Sequence, residues 1–377
     1  MTNDRASAIL SLETANPPLC RTTEQAAGFM QRVEGVPAPI RDRIPELYAR
    51  SGIDFRYSCI NDYGVEPADF TFFPKTWALE PEPTTVDRNR KYREQALPLA
   101  ESACRCAIDA AGCKSSDITH IVVASCTGTY IPGLDIELVM NLGLSRGTRR
   151  AMVAFMGCHG AFNALRVADA FCRSEPGARV LVVCVELCTL HFRVSQTKED
   201  MVITSLFSDG AAALVLAPPG EAESGGLMTY APGPTMLDDG SFDYMTWDIG
   251  HHGFDMTLSP RLPKVAAEGA PKVVDAMLSE AGVGRADIDF WALHPGGRVV
   301  VERTARALGL SDADVADSWE VLRLYGNMSS PTILFVLKRF FDRNAERIAR
   351  SEPGLGTGVV LGYGPGLTVE GALVRSG

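Results

Sequence analysis

The sequence predicts an α/β layered fold built by internal duplication, and three observations carry that reading. A pattern of residues recurs about 170 positions further along the chain, strands alternate with helices in both copies, and glycine turns close corresponding elements. The predicted arrangement stacks helix, sheet, helix, sheet and helix around one shared core.

The repeat is explicit. Ala111-Gly112, Asp117-Ile118 and the apolar run Ile121–Ala124 return as Ala281-Gly282, Asp287-Ile288 and Trp291–Leu293, at a shift of 170 (111 to 281). Gly157-Cys158 opens the helical pattern Ala161, Phe162, Ala164, Leu165, Ala168. Gly326-Asn327 opens Ile333, Leu334, Val336, Leu337, Phe340, at a shift of 169 (157 to 326). A duplicated half-domain brings equivalent turns together about a pseudo-twofold axis, so Cys158 of the first half can face His294 and Asn327 of the second.

In chain order, residues 1 to about 90 read as polar and Pro-rich, with helical patches over Thr22–Val33 and Ala38–Arg50 and a loop at Glu80–Pro83. An amphipathic helix runs from Thr85 to its stop at Gly112. Strands follow at His120–Ser125, Arg150–Phe155, Arg179–Glu186 and Ala211–Leu216, with a helix over Gly157–Phe171. Such alternation predicts βαβ units with parallel strands. Pro- and Gly-rich stretches at Pro218–Gly226 and Ala231–Gly240 predict loops that divide residues 1–225 from 226–377. The second half repeats the plan, with strands at Phe290–Leu293 and Leu367–Val374.

Composition limits the function. The 377 residues are 46% hydrophobic and 22% charged, which suits a globular enzyme rather than a disordered chain. No apolar stretch approaches the ~18 residues of a membrane span, and the N-terminal residues carry no secretory pattern. A net charge of −10 disfavours nucleic acid as a partner. The expectation is a cytoplasmic protein. Among ten cysteines no Cys-x-x-Cys pair occurs and no zinc-type histidine spacing, so no metal is expected.

Three residues carry the candidate chemistry. Cys158 stands at a strand-to-helix turn between Gly157 and Gly160, where the helix dipole and a neighbouring histidine lower a thiol pKa. His294 ends a buried strand at Pro295-Gly296-Gly297. Asn327 lies in Tyr325-Gly326-Asn327-Met328-Ser329-Ser330, before a helix. Read singly, these are equally a buried thiol, a structural histidine and an N-cap. Read together, they supply a nucleophile for a thioester and two donors for its oxygen and for a developing enolate.

Gly157-Cys158-His159-Gly160-Ala161, His294-Pro295-Gly296-Gly297, Tyr325–Ser330 and Gly362-Tyr363-Gly364-Pro365-Gly366 occur in that order. In these motifs the chain resembles the chalcone and stilbene synthase family, the type III polyketide synthases, over roughly residues 90–375. The resemblance implies a thiolase-type αβαβα fold and a homodimer acting on coenzyme A thioesters, with no cofactor beyond these substrates. Cys158 would carry starter and growing chain. His294 and Asn327 would promote decarboxylation of malonyl-coenzyme A. The resemblance further implies that Gly362, Gly364, Pro365, Gly366 and Ser329 shape the substrate cavity, with Phe207 as its gatekeeper. Arg50 and Arg56 would meet coenzyme A phosphates. Ile131, before Pro132, would reach into the partner's cavity.

Departures from the plant pattern narrow the resemblance. Met256 stands for a second gatekeeper phenylalanine, Cys126 for a cavity threonine and His191 for a small polar residue. The segments Gly157-Cys158-His159-Gly160-Ala161 and Glu186-Leu187-Cys188-Thr189-Leu190-His191-Phe192 most resemble those of bacterial alkylresorcinol and alkylpyrone synthases, which extend fatty acyl starters. A tetrahydroxynaphthalene-type synthase using malonyl-coenzyme A alone and a ketoacyl synthase of fatty-acid initiation remain as alternatives. A papain-like cysteine hydrolase fits the Cys-His-Asn order but neither the duplication nor the nucleophile segment. A thiolase-fold acyl binder without turnover would not need all three polar residues.

Overall fold

The computed structural model describes residues 6–194, 197–220 and 227–376. The first half runs β1 (Ser7–Ala15), β2 (Leu19–Thr22), α1 (Thr23–Arg32), α2 (Ala38–Arg41), α3 (Ile44–Arg50), β3 (Phe55–Ser58) and α4 (Thr85–Ala110). It continues with β4 (His120–Ser125), α5 (Leu134–Asn141), β5 (Arg149–Ala154), α6 (Gly160–Ser174), β6 (Val180–Leu187), α7 (Lys198–Leu206) and β7 (Asp209–Ala217). The second half comprises β8 (Met228–Leu237), β9 (Met245–Gly250), β10 (Gly253–Leu258), α8 (Leu262–Ala281), β11 (Phe290–Leu293) and α9 (Arg298–Leu308). It closes with α10 (Ala316–Tyr325), α11 (Thr332–Ala349), β12 (Thr357–Gly364) and β13 (Thr368–Arg375). The expected division at residues 225 and 226 lies outside the described residues.

The duplication is visible in the strand order. Nine strands form one sheet in the order β11-β12-β13-β8-β1-β7-β6-β4-β5. The two halves meet where β1 pairs with β8 over only three residue pairs, Ser7–Ile9 against Met228–Tyr230. Outward from that seam, β7, β6 and β4 mirror β13, β12 and β11. The sheet is mixed rather than parallel: β4 runs parallel to β5 and β6, and β11 to β12, while the inner pairs are antiparallel. The symmetry breaks at one place. β5 has no counterpart strand, and in chain order α10 stands between α9 and α11 where β5 stands between α5 and α6.

Period-2 alternation builds the layers. In β4, Ile121 and Val123 face Tyr92, Leu99 and Ala103 of α4 in one core, whereas Val122 and Ala124 face Phe162 and Leu165 of α6 in another. That second core also holds Ile333 and Val336 of α11, with Phe290 and Ala292 of β11, so both central helices lie between the half-sheets. Trp291 and Leu293 point the other way, against α8 and α9. The five layers are those of a thiolase-type αβαβα fold, as expected.

Among the elements that escaped the sequence reading are two in the main sheet. β1 lies in the middle of the sheet although its serines suggested a polar segment. Ser7 donates to Asp169 at 2.7 Å and Ser11 to the Ala107 carbonyl at 2.6 Å, so both are buried with partners. The stretch Ala231–Leu237, expected as loop, belongs to β8 despite Pro232 and Pro234. Beyond Tyr230 this strand keeps only β13 as neighbour, and an edge tolerates residues that cannot donate.

Candidate active site

Two glycine turns deliver the reacting groups. Gly157 and Gly326 both adopt left-handed backbone, at φ +65° and +68°, immediately before Cys158 and Asn327. A Cβ at residue 157 would lie 2.6 Å from Pro365, so the position has no room for a side chain. Cys158 sits in a single turn over Gly157–His159, just ahead of α6. Asn327 precedes the N-cap of α11, Pro331, and does not cap that helix. Its Oδ1 accepts from the Ser329 amide at 2.8 Å, and its Nδ2 donates to the Gly296 carbonyl at 3.1 Å. One of its two N–H groups is therefore fixed, which aims the other.

His294 extends β11 by donating its backbone N–H to the Leu361 carbonyl at 2.8 Å. Its ring is buried, and neither nitrogen has a hydrogen-bond partner. Burial pushes the imidazole down to about 3, so it is neutral. Burial also pushes the Cys158 thiol up to about 11, against the lowering influence of Ser329 and Asn327. The expectation of a lowered thiol pKa is therefore corrected: burial raises it. Cys158, His294 and Asn327 line one cavity of about 510 Å³, with no hydrogen bond between thiol and imidazole.

That cavity is walled by apolar side chains such as Leu206, Met245 and Leu258, and Arg50, Lys198 and Arg298 stand exposed on its lining. A second cavity of about 390 Å³ holds His191, Trp247, Phe254 and Met256. Phe207 lines both. His191 is held in place, with Nε2 at 2.7 Å from the Thr127 carbonyl and Nδ1 accepting from the Phe254 amide at 3.0 Å.

Several expected residues fall elsewhere. Arg56 is buried and committed: its guanidinium donates to the Ser205 carbonyl, Thr23 Oγ1 and Ser51 Oγ, so it cannot meet a phosphate at a cavity mouth. Cys126 lies behind the site, its Sγ 3.6 Å from Ser329 Oγ. Of the Gly362–Gly366 run only Tyr363 lines the catalytic cavity. Gly362 backs onto Phe162, Gly364 onto His159, Pro365 onto Gly157 and Gly366 onto Leu237, so the run mainly supports the nucleophile turn. The Ile131–Pro132 peptide is cis, and Ile131 is 95% exposed on the surface.

The sequence reading placed Glu186 at the end of a strand but gave it no role in the site. This carboxylate ends the apolar strand β6, is buried, and accepts from the Cys126 amide at 2.9 Å, Thr127 Oγ1 at 2.8 Å and Ser330 Oγ at 2.7 Å. Burial raises its pKa. A lone acid in Val-Leu-Val-Val-Cys-Val-Glu-Leu was the available signal. Lys198 and Arg298 were missed because surface cations carry no pattern. Among the described residues no cluster of three or more His, Cys, Asp or Glu could hold a metal ion, and no helix is long and apolar enough to cross a membrane.

Comparison with known proteins completes the description. Residues 2–219 match the family model for the N-terminal domain of chalcone and stilbene synthases, and residues 237–377 match the C-terminal domain. The chain is 37% identical over 336 residues to the alpha-pyrone synthesis polyketide synthase-like Pks18 of Mycobacterium tuberculosis, covering 88% of this chain and 82% of that one. It is 35% identical over 294 residues to a 3,5-dihydroxyphenylacetyl-CoA synthase of Streptomyces toyocaensis, covering 76% and 73%. Among solved structures, PKS-I of the brown alga Ectocarpus siliculosus superposes with a TM-score of 0.93 at 35% identity over 98% of both chains. The fungal type III polyketide synthase ORAS gives 0.85 at 26% identity, over 99% of this chain and 100% of that one.

Proposed function

This chain belongs to the chalcone and stilbene synthase family, the type III polyketide synthases, which are acyltransferases, and from that premise we propose that it condenses malonyl-coenzyme A repeatedly onto a long acyl-coenzyme A starter. The observation that carries the reading is the shared cavity of Cys158, His294 and Asn327, in which both imidazole nitrogens have no hydrogen-bond partner and the Asn327 amide acts on the Cys158 thiol.

The chemistry follows from those groups. His294 takes the Cys158 proton as the thiol attacks the starter thioester, and returns it to the departing coenzyme A sulfur. The acyl group then rests on Cys158. Malonyl-coenzyme A loses carbon dioxide, and the resulting enolate oxygen accepts hydrogen bonds from His294 and Asn327. The enolate carbon attacks the Cys158 thioester, forming the new carbon–carbon bond and expelling Cys158 as thiolate. The extended chain, now on coenzyme A, reloads Cys158 for the next round. The dry walls of the cavity strengthen each of these hydrogen bonds.

Arg50, Lys198 and Arg298 would meet the coenzyme A phosphates at the mouth. Phe207 would gate passage to the second cavity, where Met256 and His191 border the growing chain. Cys126 and Ser329 would support the nucleophile's surroundings. Cyclisation to an alkylpyrone or alkylresorcinol is the product class we favour, and the alpha-pyrone relative supports the former. No cofactor is required by these steps, and a cytoplasmic setting fits substrates made there.

A homodimer is part of the proposal. Ile131, Met140, Met152, Phe155 and Met156 are exposed apolar side chains on and around the edge strand β5, a face that a second copy would cover. The experiment for the chemistry is conversion of malonyl-coenzyme A to acetyl-coenzyme A by the wild-type protein and by Cys158→Ala. Decarboxylation by both, lost when His294 or Asn327 is replaced, supports the assignment. Its absence in the wild type overturns it.

A further inference from the structure

The second cavity contains a charge that the reaction above does not use. Arg21, on β2, lines it together with Phe29, Met30, Ile203, Phe207 and Met256. The residue is only 8% exposed. Its guanidinium lies 4.4 Å from the Tyr63 ring centroid, and one terminal nitrogen donates weakly to the Tyr63 carbonyl at 3.4 Å. Its Nε has no partner, and among the described residues it makes no ion pair with any carboxylate.

Asp209 is near enough to act on Arg21 through space, but the surrounding carboxylates spend their hydrogen bonds elsewhere. Asp209 accepts from the Cys59 and Thr189 amides and from Thr189 Oγ1. Asp200 caps α7 by accepting from the Thr197 amide at 2.9 Å. Asp255 pairs with Arg193, and Arg56 is held by backbone and hydroxyl oxygens. A buried guanidinium without a hydrogen-bonded carboxylate is costly unless something else supplies acceptors. An all-hydrocarbon occupant would leave it that way.

We propose that this cavity takes the distal end of the starter's acyl chain and that this end carries an oxygen acceptor, best a carboxylate, received by Arg21. Phe29, Met30 and Ile203 contact the methylene stem, and the guanidinium reads the terminus. Phe207, which borders both cavities, marks the passage from Cys158 to that terminus. The substrate class is thus an ω-carboxylated acyl-coenzyme A rather than a plain fatty acyl thioester. This inference rests on the condensing-enzyme reading above.

The test compares decanoyl-coenzyme A with its ω-carboxy counterpart of equal length, each with malonyl-coenzyme A, in wild-type protein and in Arg21→Met and Arg21→Gln. Wild type is expected to prefer the ω-carboxy starter in kcat/KM by about tenfold, the scale of one charge-assisted hydrogen bond in a buried site. Either variant should reverse that preference. The ratio between two starters on one protein is independent of how much of a variant folds. Preference of the wild type for decanoyl-coenzyme A, or an unchanged ratio in a folded variant, overturns the inference. Malonyl-coenzyme A decarboxylation by the same wild-type sample separates the two failures: its presence without the preference overturns this inference alone, and its absence overturns the underlying reading.

Discussion

The backbones of Phe207 and Asn327 are bridged. The Ser208 N–H donates to the Asn327 carbonyl and the Asn327 N–H to the Leu206 carbonyl, each at 2.9 Å. The side chain that borders both cavities and the amide aimed at the reacting oxygen therefore share one rigid strut. Because the strut is main chain, truncating the ring leaves it intact. Phe207→Ala should keep malonyl decarboxylation within a few-fold while broadening the range of starters accepted. A parallel loss of both would mean that the ring itself positions Asn327.

Asn327→Ala removes a donor to the developing enolate and should lower malonyl decarboxylation by roughly 100-fold or more. It also removes the acceptor of the Ser329 amide and the donor to the Gly296 carbonyl, so the thermal midpoint should fall by the equivalent of about 1 kcal/mol. Decarboxylation rate and midpoint, measured on the same variant, separate these effects. A lowered midpoint with full decarboxylation would make Asn327 structural only.

Burial, with the Glu186 charge, raises the Cys158 thiol to about 11 from an ordinary value of 9.0, so it is protonated at neutral pH. The shift is upward, so the thiolate fraction falls below that of a free thiol at every pH under 11. In the proposed mechanism His294 accepts the proton as the thiol attacks. In His294→Gln, iodoacetamide labelling of Cys158 should climb about tenfold per pH unit from 7 to 10, following the thiolate fraction. Peptide mapping keeps Cys158 distinct from the exposed Cys20 and Cys106. A plateau below pH 8 in this variant would show that another group lowers the thiol.

Met256 is flexible and borders the second cavity beside Phe207. Each buried methylene of an acyl chain contributes about 0.8 kcal/mol, so room for ten of them strongly favours long starters. Met256→Phe or Met256→Trp should shift turnover toward short acyl or aromatic starters with malonyl decarboxylation nearly unchanged. Unchanged chain-length preference would move the acyl end elsewhere.

Dimerisation predicts that sedimentation finds a two-chain species at working concentrations. Replacing the exposed Ile131 and Met156 by aspartate should shift the population toward single chains. An active single chain would remove the partner from the account.

Much of this was legible in the sequence because it depends on backbone chemistry. Strands β4 and β11 fall on their predicted residues, since continuous apolar runs ending at Ser125 and His294 leave little choice of boundary. The glycines before Cys158 and Asn327 marked the reactive turns because left-handed backbone demands them. What the sequence hid depends on three-dimensional partners. β1 was obscured because its buried serines are satisfied by residues about a hundred positions away or more. Arg56 and Arg21 look alike as residue types. Only packing reveals that the first is saturated by oxygens and the second is not. A helix N-terminus is readable from order along the chain, whereas the desolvation that raises the Cys158 thiol is set by the folded cavity.

The most direct measurement of the central claim is mass spectrometry of products from malonyl-coenzyme A with a panel of acyl-coenzyme A starters, in the absence of any carrier protein. The account predicts acyl-primed products extended by more than one malonyl-derived unit, with starters of ten carbons or more outcompeting an aromatic starter such as coumaroyl-coenzyme A. Products built from malonyl-coenzyme A alone, or condensation only after a carrier protein is added, would contradict it.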